Sequence, residues 1–100
     1  MSMSIGKYTF EGPFPHHSQL REQAGVYAVL CEADGKLYPM DLGESSNVQA
    51  AVREGERRTC WKEHCSGNLM MAAYYTPLLT ASDREEIEAE LRGSYEFPCG

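Results

Sequence analysis

Apolar residues fall into short, separated runs, and the spacing inside each run predicts an element. Lys7 to Glu11 alternates as a short strand that Gly12-Pro13 should end, leaving residues 1–6 as an N-terminal tail and residues 7–100 as the domain. Pro13 to Gln23 reads as loop with one helical turn. Val26-Tyr27-Ala28-Val29-Leu30 is a compact β-forming run opened by Gly25. Asp34-Gly35 is a hairpin turn signal, because both central positions tolerate positive φ. The return strand, Lys36 to Leu42, contains Pro39, which cannot donate to a ladder, so this strand is expected at an edge or with a bulge.

Beyond Gly43 the period changes. Ser45-Ser46-Asn47 supplies N-cap chemistry for a helix to about residue 54, whose apolar positions Val48, Ala51 and Val52 recur at i, i+3, i+4. Gly55 stops it. A second short helix is expected over Arg57 to Cys65, and Ser66-Gly67-Asn68 turns into a strand over Leu69 to Thr76. Ser82-x-x-Glu85 reads as a capping box opening a last helix, buried through Ile87, Leu91 and Tyr95. This order predicts an α+β domain: a small, mostly antiparallel sheet of three or four strands flanked by helices.

Charge narrows the range of partners. The net charge is −6, whereas nucleic-acid binders draw most of their non-specific affinity from a basic surface. The one basic cluster, Arg53, Arg57, Arg58 and Lys62, is diluted by Glu54, Glu56 and Glu63. No run approaches the roughly 18 consecutive apolar residues of a membrane span, so no membrane partner is expected. The N-terminal residues lack the pattern of a signal peptide, which makes a cytoplasmic location the default expectation. Trp61, His64 and Tyr74-Tyr75 read as core or rim residues rather than a base-stacking platform. In that setting Cys31, Cys60, Cys65 and Cys99 are expected as free thiols. Cys60, His64 and Cys65 offer an alternative zinc set, with Cys60 and His64 at i, i+4 and Cys99 or water as the fourth ligand.

Three segments resemble a known family. Gly25-Val26-Tyr27 resembles the GIY strand of the GIY-YIG nucleases. Leu42-Gly43-Glu44-Ser45-Ser46-Asn47-Val48 resembles the family's YVG-x-S-x-N-L passage, and Glu88-x-x-Leu91 with Tyr95-x-x-Pro98 resembles its last helix and closing turn. The resemblance spans roughly residues 7 to 100 and implies a GIY-YIG-like fold. It also implies divalent-metal phosphodiester hydrolysis, with magnesium or manganese as the cofactor. The chemistry needs two strand tyrosines at a water, an arginine at the phosphate and a glutamate on the metal.

Two of those four positions match. Tyr27 stands at the first tyrosine and Glu88 at the metal-binding glutamate. Asp41 occupies the second tyrosine position, Ala51 the arginine position, and Gly100 aligns with a commonly closing asparagine. Ser45 and Asn47 are the candidate binding residues of the motif. Arg53 lies about 200° round the helix from Ala51 and points away. Tyr38 is expected on the opposite face from Asp41 unless a bulge at Pro39 flips the parity, and it stays about 10 Å off along the strand. Arg57 and Arg58 are the candidates for compensation. The expected function is a catalytically impaired binding module; the alternatives are a nuclease with a non-standard arginine and a thiol or zinc module.

Overall fold

A computed structural model describes all of residues 1–100 and contains five strands and three helices. The strands are β1 (Ser2–Ile5), β2 (Tyr8–Phe14), β3 (Gly25–Ala33), β4 (Lys36–Ser45) and β5 (Asn68–Tyr75). The helices are α1 (Val48–Glu54), α2 (Arg58–His64) and α3 (Ala81–Ser94), with a 3₁₀ turn at His17–Gln19. The strands form one sheet in the order β1-β2-β5-β3-β4, and every neighbouring pair is antiparallel. The α+β class and the β3–β4 hairpin are as expected, the hairpin turning where Asp34 and Gly35 take φ of 54° and 74°. The strand count is higher than the expected three or four.

The differences have local causes. Residues 1–6 are not a tail: Ser2 to Ile5 pair with Tyr8 to Glu11, and Ile5 is buried in the core. Gly12-Pro13 does not end β2, because the register shift between Glu11 and Phe14 keeps this stretch out of regular pairing with β5. The last helix begins two residues earlier than Ser82-x-x-Glu85 suggests. Thr80 Oγ1 accepts from the Asp83 N–H at 3.2 Å, and Asp83 Oδ2 accepts from the Thr80 N–H at 3.0 Å. Donation to Oδ2 by the Thr80 N–H, and then by the Thr80 hydroxyl at 3.0 Å, holds the Asp83 carboxyl below the usual carboxylate range. Tyr95 is exposed rather than core; its hydroxyl accepts from the Gly6 N–H at 2.9 Å and ties the end of α3 to the β1–β2 turn.

Side-chain alternation divides the core between the two faces of the sheet. Val26, Ala28 and Leu30 of β3 face α3, where Ile87 and Leu91 close a cluster with Phe10, Leu42 and Ala72. Val29 and Cys31 face the other way and pack with Trp61 of α2, Met40 and Cys99. Val48 and Val52 of α1 pack beside them on Leu20, Met71 and Ala73.

Pro39 sits where the sequence predicts trouble, and both expected remedies are present. β4 is an edge strand, and its register with β3 slips between Val29↔Asp41 and Leu30↔Pro39. That bulge flips the parity of the strand, placing Tyr38 opposite Cys31 and on the same face as Asp41. Loss of the Leu91 side chain, which is 1% exposed, is expected to cost about 2–5 kcal/mol in urea denaturation of Leu91→Ala. A loss below about 1 kcal/mol would mean that α3 is not docked through this residue.

Candidate functional site

Asp41 is the residue around which the candidate site is built. Its pairing with Val29 turns the side chain towards α2, and it is 0% exposed. An unpaired carboxylate at such depth is very unfavourable, so it needs several donors. Five are present. Arg57 grips it as a fork, Nε to Oδ2 at 2.7 Å and Nη2 to Oδ1 at 3.0 Å. Trp61 Nε1 donates to Oδ2 at 2.7 Å, while Arg92 Nη2 at 3.1 Å and the Leu42 N–H at 2.8 Å donate to Oδ1. The bond to Asp41 is also the main reason that the Arg57 pKa is raised.

The two guanidinium groups have a second duty. The Leu42 carbonyl accepts from Arg92 Nη2 in a close contact and from Arg57 Nη2 at 3.5 Å, and the Met40 carbonyl accepts from the Cys99 N–H at 3.0 Å. Two carbonyls in the middle of edge strand β4 are therefore already occupied and not free to pair with another chain.

A cleft of about 210 Å³ opens beside this cluster, lined by Tyr27, Ser45, Ala51, Glu54, Glu56 and Arg57 among others. The Tyr27 ring lies across Gly43, where an added Cβ would sit 2.4 Å from the Tyr27 hydroxyl oxygen. A glycine at position 43 is thus a steric requirement for placing this tyrosine. Burial is the largest influence on the Tyr27 phenol and raises its pKa above the ordinary tyrosine value. The hydroxyl is therefore protonated at neutral pH, a neutral phenol at the cleft wall.

Tyr27, Ala51 and Arg57 share the cleft. Glu88 lies on α3, and its Oε2 accepts from Arg92 Nε at 2.9 Å. That guanidinium opposes a dication at the same oxygen, and the only cluster of three or more His, Cys, Asp or Glu ligand atoms is Cys60, His64 and Cys99. A magnesium or manganese ion at Glu88 would find one carboxylate, already engaged by Arg92, and would take its other ligands from water and substrate. Arg58 is turned elsewhere: its Nη2 donates to the Val52 and Arg53 carbonyls at 3.1 and 3.0 Å, closing the C-terminal end of α1. Asn47 caps α1 by accepting from the Ala50 N–H at 3.1 Å, and Ser45 Oγ bonds the Asn47 backbone. These two candidate binding residues thus have local structural partners, with Ser45 alone reaching the cleft wall.

Three of the four expected aromatic and histidine residues have structural places. Trp61 is buried on Asp41, Tyr74 packs against Tyr8 and Phe10, and the Tyr75 hydroxyl accepts from the Arg21 N–H at 2.8 Å. Exposed His64 lies near Cys60 instead.

The cysteines are not free thiols. Cys31 is joined to Cys65 and Cys60 to Cys99, across Cα separations of 5.5 and 5.9 Å that suit a disulfide. Cys65 is therefore committed to Cys31 on β3, and the expected set of Cys60, His64 and Cys65 is not assembled. Cys99, buried against Met40 and Trp61, takes its place beside Cys60 and His64.

Arg92 and Arg84 were not singled out by the sequence. Arg84 Nε donates to Glu44 Oε2 at 2.9 Å at the edge of the cleft. Glu88 and Arg92, at i, i+4, offered a sequence signal only for a surface pair. Comparison with protein-family models, curated proteins and solved structures gives no match. No helix is long and apolar enough to cross a membrane.

Replacing Asp41 by alanine leaves Trp61 Nε1 without its acceptor and Arg57 without its counter-ion, while Arg92 keeps only Glu88. Asp41→Ala is expected to lose about 3–5 kcal/mol of stability in denaturant titration with the disulfides intact. A change under about 1 kcal/mol would contradict the anchoring role.

Proposed function

We propose that the chain is a non-hydrolytic binding domain of GIY-YIG-like organisation. The observation that carries this reading is the saturation of Asp41. Phosphodiester hydrolysis requires a preplaced cation facing the developing phosphate charge. Here the tyrosine position has become a buried anion that engages both nearby arginines, and Arg92 also engages Glu88. Ala51 brings no cation to the cleft.

The remaining cleft favours a small ligand. Its volume is below the roughly 300 Å³ at which drug-sized sites begin. Glu54 and Glu56 line it without an ion-pair partner, while Arg57 is already paired. This balance supports a small neutral or cationic polar group over a polyanion such as nucleic acid. The two cystines support exposure to an oxidising environment and weigh against the cytoplasmic location expected from the N-terminal residues.

One observation favours the nuclease alternative: the Arg57 side chain is 41% exposed and shares the cleft with Tyr27. Cleavage of single- and double-stranded DNA and RNA, with magnesium or manganese, separates the two. No product is expected above a Glu88→Ala control, because each lost charge-stabilising group costs about 10²–10³ in rate. Robust cleavage abolished by Glu88→Ala or Arg57→Ala would replace the binding reading with the nuclease one.

A further inference from the structure

The second cystine lies beside a histidine that has no structural task in the core. Cys60 and His64 are one turn apart on α2, so they project from one face of the helix. Cys99 comes to the same place from the C-terminal segment, where its backbone N–H is held by the Met40 carbonyl. One ligand atom from each of the three residues lies within 4.8 Å of the others, and His64 Nδ1 is 3.5 Å from Cys60 Sγ. We propose that Cys60, His64 and Cys99 form a redox-gated site for zinc or a similar thiophilic divalent cation, closed by the disulfide and opened by its reduction.

The geometry requires little movement. Tetrahedral zinc bonds sulfur at about 2.3 Å and imidazole nitrogen at about 2.0–2.1 Å, which sets neighbouring ligand atoms roughly 3.3–3.8 Å apart. The histidine–sulfur distance already falls in this range. The two sulfurs must separate once their bond is cut, and the Cα separation of 5.9 Å leaves room for that by side-chain rotation. His64 Nδ1 is also 2.9 Å from the Cys60 carbonyl. The ring is exposed, so Nδ1 can exchange that carbonyl for the ion with a small rotation, leaving Nε2–H to water. Three protein ligands leave the fourth position to water or an exogenous ligand.

The chemistry balances with a dithiol reductant. A reductant thiolate attacks the more accessible Cys60 sulfur, forms a mixed disulfide and releases Cys99 as thiolate. The reductant's second thiol then displaces Cys60, so two electrons pass to the cystine and the reductant leaves as its own disulfide. Binding of the cation by both thiolates releases the protons they would otherwise hold. Cys31–Cys65 lies outside this set, since neither of its sulfurs belongs to the ligand cluster. The inference is independent of the reading of the Asp41 cleft.

Cobalt(II) substitution tests it on the whole chain. The oxidised protein should take up no tightly held cobalt. After reduction with a dithiol and removal of the excess, one ion per chain should bind, with sulfur-to-cobalt charge-transfer absorption and tetrahedral ligand-field bands. Zinc should displace it. His64→Ala should bind at least as much more weakly as when a ligand's outer partner is lost, about 10–100-fold. Cys31→Ala with Cys65→Ala should still bind one ion. Equal uptake by the oxidised protein, unchanged affinity in His64→Ala, or no uptake by the folded reduced chain would each overturn the proposal. Should reduction unfold the chain, the readout becomes refolding. Zinc must restore the circular dichroism of the wild type but not of His64→Ala, and restoration of both or neither defeats it.

Discussion

The Asp41 carboxylate has no access to water, and an ion moved to such a place costs several kcal/mol even after the protein relaxes. Its neighbours are organised to offset that cost. Trp61 brings α2 against the sheet, Arg57 fixes the start of α2, and Arg92 reaches from α3 on the opposite face to the open edge of β4. Two helices distant in sequence thus converge on one side chain of β4. The same guanidinium groups cover the Leu42 carbonyl, so neutralising the anion and occupying that acceptor of the edge strand are one arrangement.

This arrangement also limits what the cleft can do. A guanidinium that donates in a fork to a buried carboxylate has little reason to leave it for a phosphate in water. Arg57 is at the cleft but already committed, and Arg92 is shared between Asp41 and Glu88. Asp41 is therefore a structural anchor between the sheet and the helices. Placing tyrosine there would strip Trp61 and Arg57 of their acceptor, so Asp41→Tyr tests stability before anything else.

Much of the fold was legible because it follows from local rules. Asp34-Gly35 specifies the hairpin, Asn47 and Gly55 bound α1, and Ile87 with Leu91 orient α3. Pro39 correctly signalled both the edge and the bulge. Legibility failed where long-range partners decide. Ser2 to Ile5 is polar enough to read as a tail, and becomes a strand only because β2 is available beside it. Thr80-x-x-Asp83 prevailed over Ser82-x-x-Glu85, although both fit the same pattern. The site was half legible. Tyr27, Ala51 and Arg57 do meet in one cleft, but Arg92 reads from sequence as a surface partner of Glu88. Pairing of Cys31 with Cys65 and Cys60 with Cys99 depends on Cα separations that no spacing reveals.

The central claim is that the Asp41 carboxylate and the Arg57 guanidinium are energetically coupled, so that neither is free for other chemistry. A double-mutant cycle of Asp41→Ala and Arg57→Ala, read by denaturant unfolding with the disulfides intact, measures that coupling directly. Because Arg57 is partly solvated, the expected coupling is about 1–3 kcal/mol rather than the full value of a buried pair. Additive effects, with coupling below about 0.5 kcal/mol, would contradict the account.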